Sequence, residues 1–123
     1  MTKKINLTFF SNSRSEFGLI NQIIKQIKKN KKKFAYNIFL SGTHSSKKYG
    51  NSLFEVQQSK INYKNIFNYN TKTSSQNNIL NNLATYTLRL PKVFQGIDYV
   101  VIFGDRVDLI PIIINCLIYN KKI

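Results

Sequence analysis

The chain has 123 residues, of which 42% are hydrophobic and 13% aromatic, so it is long enough for one folded core and too apolar for a disordered segment. Its formal net charge is +14, but Lys, Asn and Ile together supply 49 residues (16, 16 and 17), the combination that AT-rich codons produce. Apart from Lys25 to Lys33 the lysines are scattered, so the charge favours a solvated surface over a nucleic-acid interface.

The N-terminal part of the chain predicts a strand followed by a helix. Ile5 to Phe10 is the strand, and Ser13 with Glu16 three residues later is a capping box that marks the start of the helix. Four apolar residues with 3-4-3 spacing form the buried face of this helix: Phe17, Ile20, Ile24 and Ile27.

The middle of the chain repeats this alternation. Phe34 to Leu40 predicts a second strand, which ends in Ser41-Gly42-Thr43-His44. A short helix is expected around Tyr49 to Ser59, then a weaker third strand within Ile61 to Tyr69. The polar segment Lys72 to Asn78 is typical of a turn.

A longer helix is predicted from about Ile79 to Phe94, and Pro91 should end or kink it near Leu90. One side of this helix carries Leu80, Leu83, Thr87, Leu90 and Phe94. Tyr99 to Phe103 is a near-continuous apolar run, typical of a parallel strand buried on both faces.

The C-terminal segment predicts one more helix and the beginning of another strand. The helix spans about Arg106 to Tyr119, with Pro111 near its tolerated first turn. Lys121-Lys122-Ile123 resembles the first residues of a further strand.

The alternating order predicts an α/β fold, a Rossmann-like parallel sheet with helices on both faces, as one domain over residues 1–123. The loop from Ser11 to Gly18 contains one glycine where Gly-x-Gly-x-x-Gly would be needed, so tightly bound NAD is not expected. We expect no cofactor.

Nothing in the sequence predicts export, membrane insertion or a metal site. The apolar part of Met1 to Phe10 is too short for a signal peptide, and Val107 to Tyr119 is too short to span a bilayer. We therefore expect a soluble, cytoplasmic protein with no membrane partner. One cysteine (Cys116), one histidine and five scattered acids cannot assemble a zinc site, and Cys116 is expected to be buried and inert.

Polar residues follow several strands at the sheet edge where open α/β folds bind ligands. Arg14, at a helix N-terminus, suits a phosphate group, but Ser13 and Glu16 equally suit simple capping with Arg14 in solvent. Asp105 could act as a general base with Arg106 holding phosphate oxygens, or it could cap the next helix.

The lone histidine, His44, follows the second strand, where a surface role and a functional role are equally open.

Ser13 to Gly18, Leu40 to Gly50 and Gly104 to Asp108 are three motifs that together resemble those of UDP-N-acetylglucosamine 2-epimerases. Ser13-Arg14-Ser15-Glu16-Phe17-Gly18 resembles the Thr-Arg-(Ala/Pro)-Glu-Tyr-Gly loop after the family's first strand. The segment from Leu40 to Gly50 resembles the Thr-Gly-x-His-Leu-x-x-x-Tyr-Gly block of the hydrolysing branch. Gly104-Asp105-Arg106-Val107-Asp108 resembles that branch's Gly-Asp-Arg-x-Glu, with Asp in place of the usual Glu.

The resemblance implies the N-terminal half of a GT-B fold, with the active site in a cleft shared with a C-terminal nucleotide-binding domain. The implied reaction converts UDP-N-acetylglucosamine and water to N-acetylmannosamine and UDP, a step in sialic acid biosynthesis. Asp105 would be one acid/base group and Arg14 would contact the nucleotide phosphates. His44 would line the sugar pocket, and Arg106 would also bind substrate.

By the same resemblance, the second catalytic carboxylate belongs to a His-x-x-Gly-Glu segment that these residues do not include. We therefore expect residues 1–123 alone to be an inactive fragment, with a UDP-sugar substrate and homo-oligomer formation belonging to the complete enzyme. Two alternatives remain open: a non-catalytic subunit or remnant of a split epimerase, with a separately encoded C-terminal half, and a basic nucleic-acid-binding module.

Overall fold

The computed structural model describes residues 3–42, 44, 52–104 and 106–123. Strands and helices alternate along the chain, as the sequence predicts. They are β1 (Ile5–Ser11), α1 (Arg14–Lys29), β2 (Phe34–Gly42), α2 (Leu53–Gln58), β3 (Lys64–Asn68), α3 (Gln76–Arg89), a 3-10 turn (Leu90–Val93), β4 (Tyr99–Val101) and α4 (Leu109–Ile118).

The four strands form one parallel sheet in the order β3-β2-β1-β4. β1 is central, and it pairs with β2 on one side and with β4 on the other. β2 and β3 therefore lie on one side of β1 and β4 lies on the other, which makes β1 the topological switch point of the sheet. In open α/β folds a crevice forms at this point, at the carboxyl ends of the strands. The predicted α/β, Rossmann-like fold is confirmed.

Helices cover both faces of the sheet because successive strand residues point to opposite sides. Phe9 of β1 lies in a cluster with α1 and α2, whereas Phe10 lies in a cluster with α3 and α4. The predicted apolar face of α1 is confirmed, since four of its side chains are buried: Phe17, Ile20, Ile24 and Ile27. Cys116 of α4 is also buried, as expected.

The start and the buried face of α3 differ from the prediction. Ser75 accepts a hydrogen bond from the Asn78 backbone N–H (3.2 Å), so the helix begins at Gln76, within the segment expected to be a turn. Leu80 is 62% exposed, so its predicted place on the buried side is wrong. Leu90 and Phe94 of the same predicted side are buried as expected, and Asn82 and Tyr86 are the buried residues of α3 itself. The polar Asn82 faces inward because it hydrogen-bonds the backbone of Asn70.

The C-terminal elements are shorter than predicted, although their order is right. β4 pairs with β1 through only three residues, Tyr99–Val101, and does not extend to Phe103. The helical part before Pro91 ends at Arg89, and a 3-10 turn follows, as expected for this proline. Lys122 forms a parallel bridge with Tyr99, and its carbonyl accepts from the Val100 N–H at 2.8 Å.

No helix among residues 3–42, 44, 52–104 and 106–123 is both long enough and apolar enough to cross a membrane.

Ile24→Val should lower the free energy of unfolding by about 0.5–1.5 kcal/mol because it removes a methylene from a fully buried side chain. Ile118→Val removes the same group from a side chain that is 74% exposed, and we expect a change below about 0.5 kcal/mol. Urea denaturation followed by circular dichroism measures both values. Equal effects would contradict the assignment of Ile24 to the core.

Candidate functional site

A cleft of about 800 Å³ opens at the carboxyl edge of the sheet, beside the switch point. Its walls come from the start of α1, from α2, from the residue after β3, from the first turn of α3 and from the residues just before α4. The lining residues are Ser13, Arg14, Ser15, Gly18, Glu55, Tyr69, Ile79, Arg106, Val107 and Asp108. Two predicted site residues, Arg14 and Arg106, therefore lie in the same cleft.

Asn12 fixes the floor beside this cleft by joining three elements. Its side-chain oxygen Oδ1 accepts hydrogen bonds from Ser41 Oγ of β2 and from Tyr86 Oη of α3, the latter at 2.9 Å. Its backbone N–H donates to Glu16 Oε2 at 2.5 Å. All four residues are buried, so these contacts are made in a low-dielectric interior where hydrogen bonds are strong.

Gly42 allows the end of β2 to approach the backbone of Asn12. Its φ is +70°, in the left-handed region that glycine adopts without strain. A Cβ at this position would lie 2.5 Å from the Asn12 carbonyl oxygen, which is closer than atoms tolerate. A side chain here would push the end of β2 away from Asn12.

Glu16 lies in the first turn of α1, but it does not complete the predicted capping box. Ser13 is the N-cap residue by backbone geometry, yet its hydroxyl contacts Ser15 Oγ (3.1 Å) and caps no backbone N–H. Glu16 reaches back one residue further, to the Asn12 N–H. The side chain is buried, and desolvation raises the pKa of its carboxyl group above the usual range.

Arg14 is the first residue of α1 and lies at the mouth of the cleft. Its Nε donates to Glu55 Oε2 at 3.1 Å, and its Nη2 contacts Glu55 Oε1. This two-point ion pair links α1 to α2 in an exposed position, where its net contribution to stability is small. Arg14 therefore lines the cleft, where one carboxylate already occupies part of its guanidinium. Its predicted phosphate contact stays a prediction.

Arg106 lies across the cleft and pairs with Asp108, the residue at the start of α4. Arg106 Nε is 2.9 Å from Asp108 Oδ2, a close ion pair without the alignment of a hydrogen bond. The other oxygen, Asp108 Oδ1, accepts from Tyr69 Oη at 2.5 Å. Asp108 is buried, whereas the Arg106 side chain is 49% exposed. A buried carboxylate therefore contacts one edge of the guanidinium, and the rest of this group is accessible from the cleft.

His44 is buried and bonded at both ring nitrogens. Ser11 Oγ gives its proton to the Ser13 carbonyl (3.2 Å), so it accepts from His44 Nε2 at 2.6 Å. Nδ1 then accepts from Ser52 Oγ at 2.7 Å. Burial lowers the pKa of this imidazole to about 4, so the ring is neutral at physiological pH and connects the ends of β1 and α2. Its predicted contact with a sugar stays a prediction.

Asp105 lies outside the residues that the structure describes, so its predicted catalytic role stays a prediction. Its immediate neighbour Arg106 lines the cleft.

Sequence reasoning did not assign roles to Tyr69, Tyr86 or Glu55. Tyr69 directly follows β3, so the expectation that ligand-binding residues follow the carboxyl ends of strands would also have identified it. Glu55 and Tyr86 come from helices distant in sequence from the loops that they contact, and no local signal predicts those contacts.

Fold and cleft together define a Rossmann-like α/β domain whose basic, partly carboxylate-lined crevice lies at the topological switch point, where this class binds its ligands. A curated protein of Escherichia coli, named polysialic acid biosynthesis protein P7, is 21% identical to the chain over 116 residues. The match covers 93% of this chain and 29% of the relative, so the chain spans less than a third of that protein's length. No protein-family model matches the chain.

Gly42→Ala should lower the free energy of unfolding by about 1–3 kcal/mol or more, because the new Cβ combines a strained φ with a clash against Asn12. The matched control is Gly18→Ala in α1, where the space around the Cβ position is open. We expect this change to stabilise the helix by about 0.5–1 kcal/mol. Urea titrations should give changes of opposite sign for the two variants. Unchanged or higher stability of Gly42→Ala would contradict the requirement for glycine at position 42.

Protonation of His44 should make the fold less stable in acid. The unfolded state takes up a proton near pH 6.5, whereas the folded state does so only near pH 4. Stability is therefore lost as pH falls through this window, by roughly 3 kcal/mol in total. The raised pKa of Glu16 acts in the opposite direction. As pH rises above the usual pKa of a glutamate, the unfolded state loses this proton first, so the free energy of unfolding falls.

The measurement for His44 is the difference in urea unfolding free energy between wild type and His44→Gln at several pH values from 4 to 6.5. The loss in acid should be smaller in the variant, since Gln does not titrate. An identical pH dependence in both proteins would rule out His44 as its source.

Proposed function

We propose that this chain is the N-terminal, substrate-binding part of a hydrolysing UDP-N-acetylglucosamine 2-epimerase of the sialic acid pathway. The observation that carries the proposal is the convergence of Arg14 and Arg106 on one cleft at the switch point of a Rossmann-like sheet. A diphosphate is the ligand that two guanidinium groups at such a crevice suit best, because guanidinium N–H groups donate strong, charge-assisted hydrogen bonds to phosphate oxygens.

The local surroundings support an anionic ligand over a neutral one. The N-terminus of α1 opens onto the cleft at Ser13 and Ser15, and the positive end of the helix dipole favours negative charge there. Arg106 has no partner for its terminal nitrogens among the residues that the structure describes. A phosphate oxygen would supply that partner.

The proposed chemistry removes the C2 proton of the sugar as UDP departs, giving a glycal to which water adds at C1 while C2 is reprotonated on the other face. Asp105, beside Arg106, is the proposed acid/base group on one side of the sugar. A carboxylate outside these residues would serve the other side. Arg106 would stabilise the negative charge that develops on the departing diphosphate.

The E. coli relative supports the pathway more than the reaction. Its name places that protein in polysialic acid biosynthesis, and sialic acids are made from the N-acetylmannosamine that the proposed reaction would release. The match extends over 93% of this chain, including all the motifs that resemble the epimerase family.

Titration of the ¹⁵N-labelled chain with UDP-N-acetylglucosamine tests the proposal. We expect amide shifts confined to the cleft, at Ser13, Ser15, Gly18 and Val107, and a dissociation constant on the order of millimolar because only one wall of the site is present. Arg106→Gln should weaken binding about tenfold or more, since a charged donor is lost.

The matched control is Arg89→Gln on α3, because Arg89 contacts the ring of Phe67 and does not line the cleft. This change should leave the dissociation constant within twofold, roughly the error of such a titration. Shifts centred outside the cleft, or equal losses in the two variants, would refute the proposed function.

A further inference from the structure

We propose that Tyr69 and Asp108 are positioning residues that hold the Arg106 guanidinium in place for a phosphate oxygen of the ligand. This inference rests on the proposed function for the identity of the ligand, but its geometry comes from three side chains that line the cleft. Neither Tyr69 nor Asp108 needs to touch the reacting atoms; both act through Arg106.

Asp108 is the centre of the arrangement because its two oxygens have different partners. Oδ1 accepts the Tyr69 hydroxyl proton at 2.5 Å, and Oδ2 lies 2.9 Å from Arg106 Nε. The carboxylate is buried, so little water competes for either oxygen. A carboxylate held in this way restrains one edge of the guanidinium and leaves the two terminal nitrogens for a ligand.

Tyr69 is itself held rigidly, which a positioning role requires. Its ring makes edge contacts with Phe67 (5.8 Å between centroids) and Tyr86 (6.2 Å), and its backbone N–H donates to the Gly42 carbonyl at 2.9 Å. Burial and the hydrogen bond to Asp108 raise the pKa of its hydroxyl, so the group remains a donor at physiological pH.

Arg14 offers a useful contrast within the same cleft. Glu55 contacts two of its nitrogens, Nε and Nη2, in an exposed pair. Arg106 is held through Nε alone and by a buried partner. Of the two arginines, Arg106 is therefore the one whose terminal donors are oriented in advance for an anion, and preorganised donors bind without a further ordering cost.

The test uses inorganic pyrophosphate as the probe and the complete 123-residue chain. In the wild type, the nearby Asp108 carboxylate should slow the solvent exchange of the Arg106 Nε–Hε proton, and the guanidinium NMR signals should shift on titration. Tyr69→Phe keeps the ring contacts and removes only the hydroxyl. We expect faster exchange at Arg106 Nε–Hε and pyrophosphate binding weakened roughly two- to tenfold, the effect of one lost hydrogen bond.

The matched control is Tyr63→Phe, which removes a hydroxyl whose hydrogen-bond partner among the described residues is the exposed Gln57 (3.3 Å). This variant should match the wild type in both exchange rate and affinity. Backbone amide spectra that overlay away from the cleft would show that Tyr69→Phe retains the fold. Equal behaviour of the two variants would overturn the inference.

Asp108→Asn separates positioning from simple electrostatics because the two explanations predict opposite changes in pyrophosphate affinity. If Asp108 merely adds negative charge near the anion, its neutralisation should tighten pyrophosphate binding. If it positions Arg106, binding should weaken and the Arg106 Nε–Hε signal should lose its protection. Tighter binding with an unchanged Arg106 signal would overturn the inference.

Comparison of two ligands distinguishes this inference from the proposed function. Pyrophosphate effects that depend on Tyr69, without binding of UDP-N-acetylglucosamine, would support the positioning roles and count against the epimerase assignment. If UDP-N-acetylglucosamine shifts the amide signals of the cleft and Tyr69→Phe leaves these shifts unchanged, the result would support the epimerase assignment and count against the positioning roles. Failure of pyrophosphate to shift the wild-type Arg106 signals would also overturn the positioning roles.

Discussion

Asn12 joins the loop after β1 to two other parts of the fold through contacts made away from water. Its carboxamide oxygen accepts from Ser41 and Tyr86, and Gly42 packs directly against its carbonyl. Because Tyr86 also packs against Tyr69, the ring that supports the Asp108–Arg106 pair is connected to the same point. The shape of the cleft thus depends on one residue immediately beyond the central strand, and Arg14 and Arg106 occupy their places relative to it.

The titratable groups beneath the cleft each have a hydrogen-bond or ion-pair partner. His44 is neutral and bonded to two serines, Glu16 has a raised pKa, and Asp108 is paired with Arg106. An isolated buried charge would be costly, so each group either shifts its pKa or acquires a partner. The strongly basic character of the chain is therefore a property of its surface, while the interior near the site has balanced or suppressed charge.

Local patterns predicted the scaffold better than the site. The period of Phe17, Ile20, Ile24 and Ile27, and the alternation of strands and helices, indicated the parallel sheet because burial dominates both. The rule about strand ends located Arg14 and Arg106 in one cleft. The supporting contacts of Tyr69, Tyr86 and Glu55 could not be predicted, because they depend on how distant helices pack. The prediction for Leu80 was wrong for the same reason: Asn82 occupies the inward face through hydrogen bonds that hydrophobic periodicity does not report.

The ion pair between Arg14 and Glu55 places a carboxylate where an anionic ligand of the cleft would contact Arg14. Glu55 belongs to α2, a helix of only six residues, and it meets the first residue of α1. An anion that binds the Nε and Nη2 edge of Arg14 must first displace Glu55, so the anion and this carboxylate compete for that edge of the guanidinium. Binding there would remove one contact between α2 and α1, while Val56 of α2 stays packed in the core cluster with α1. By reciprocity, any change that weakens the Glu55 contact would favour the anion.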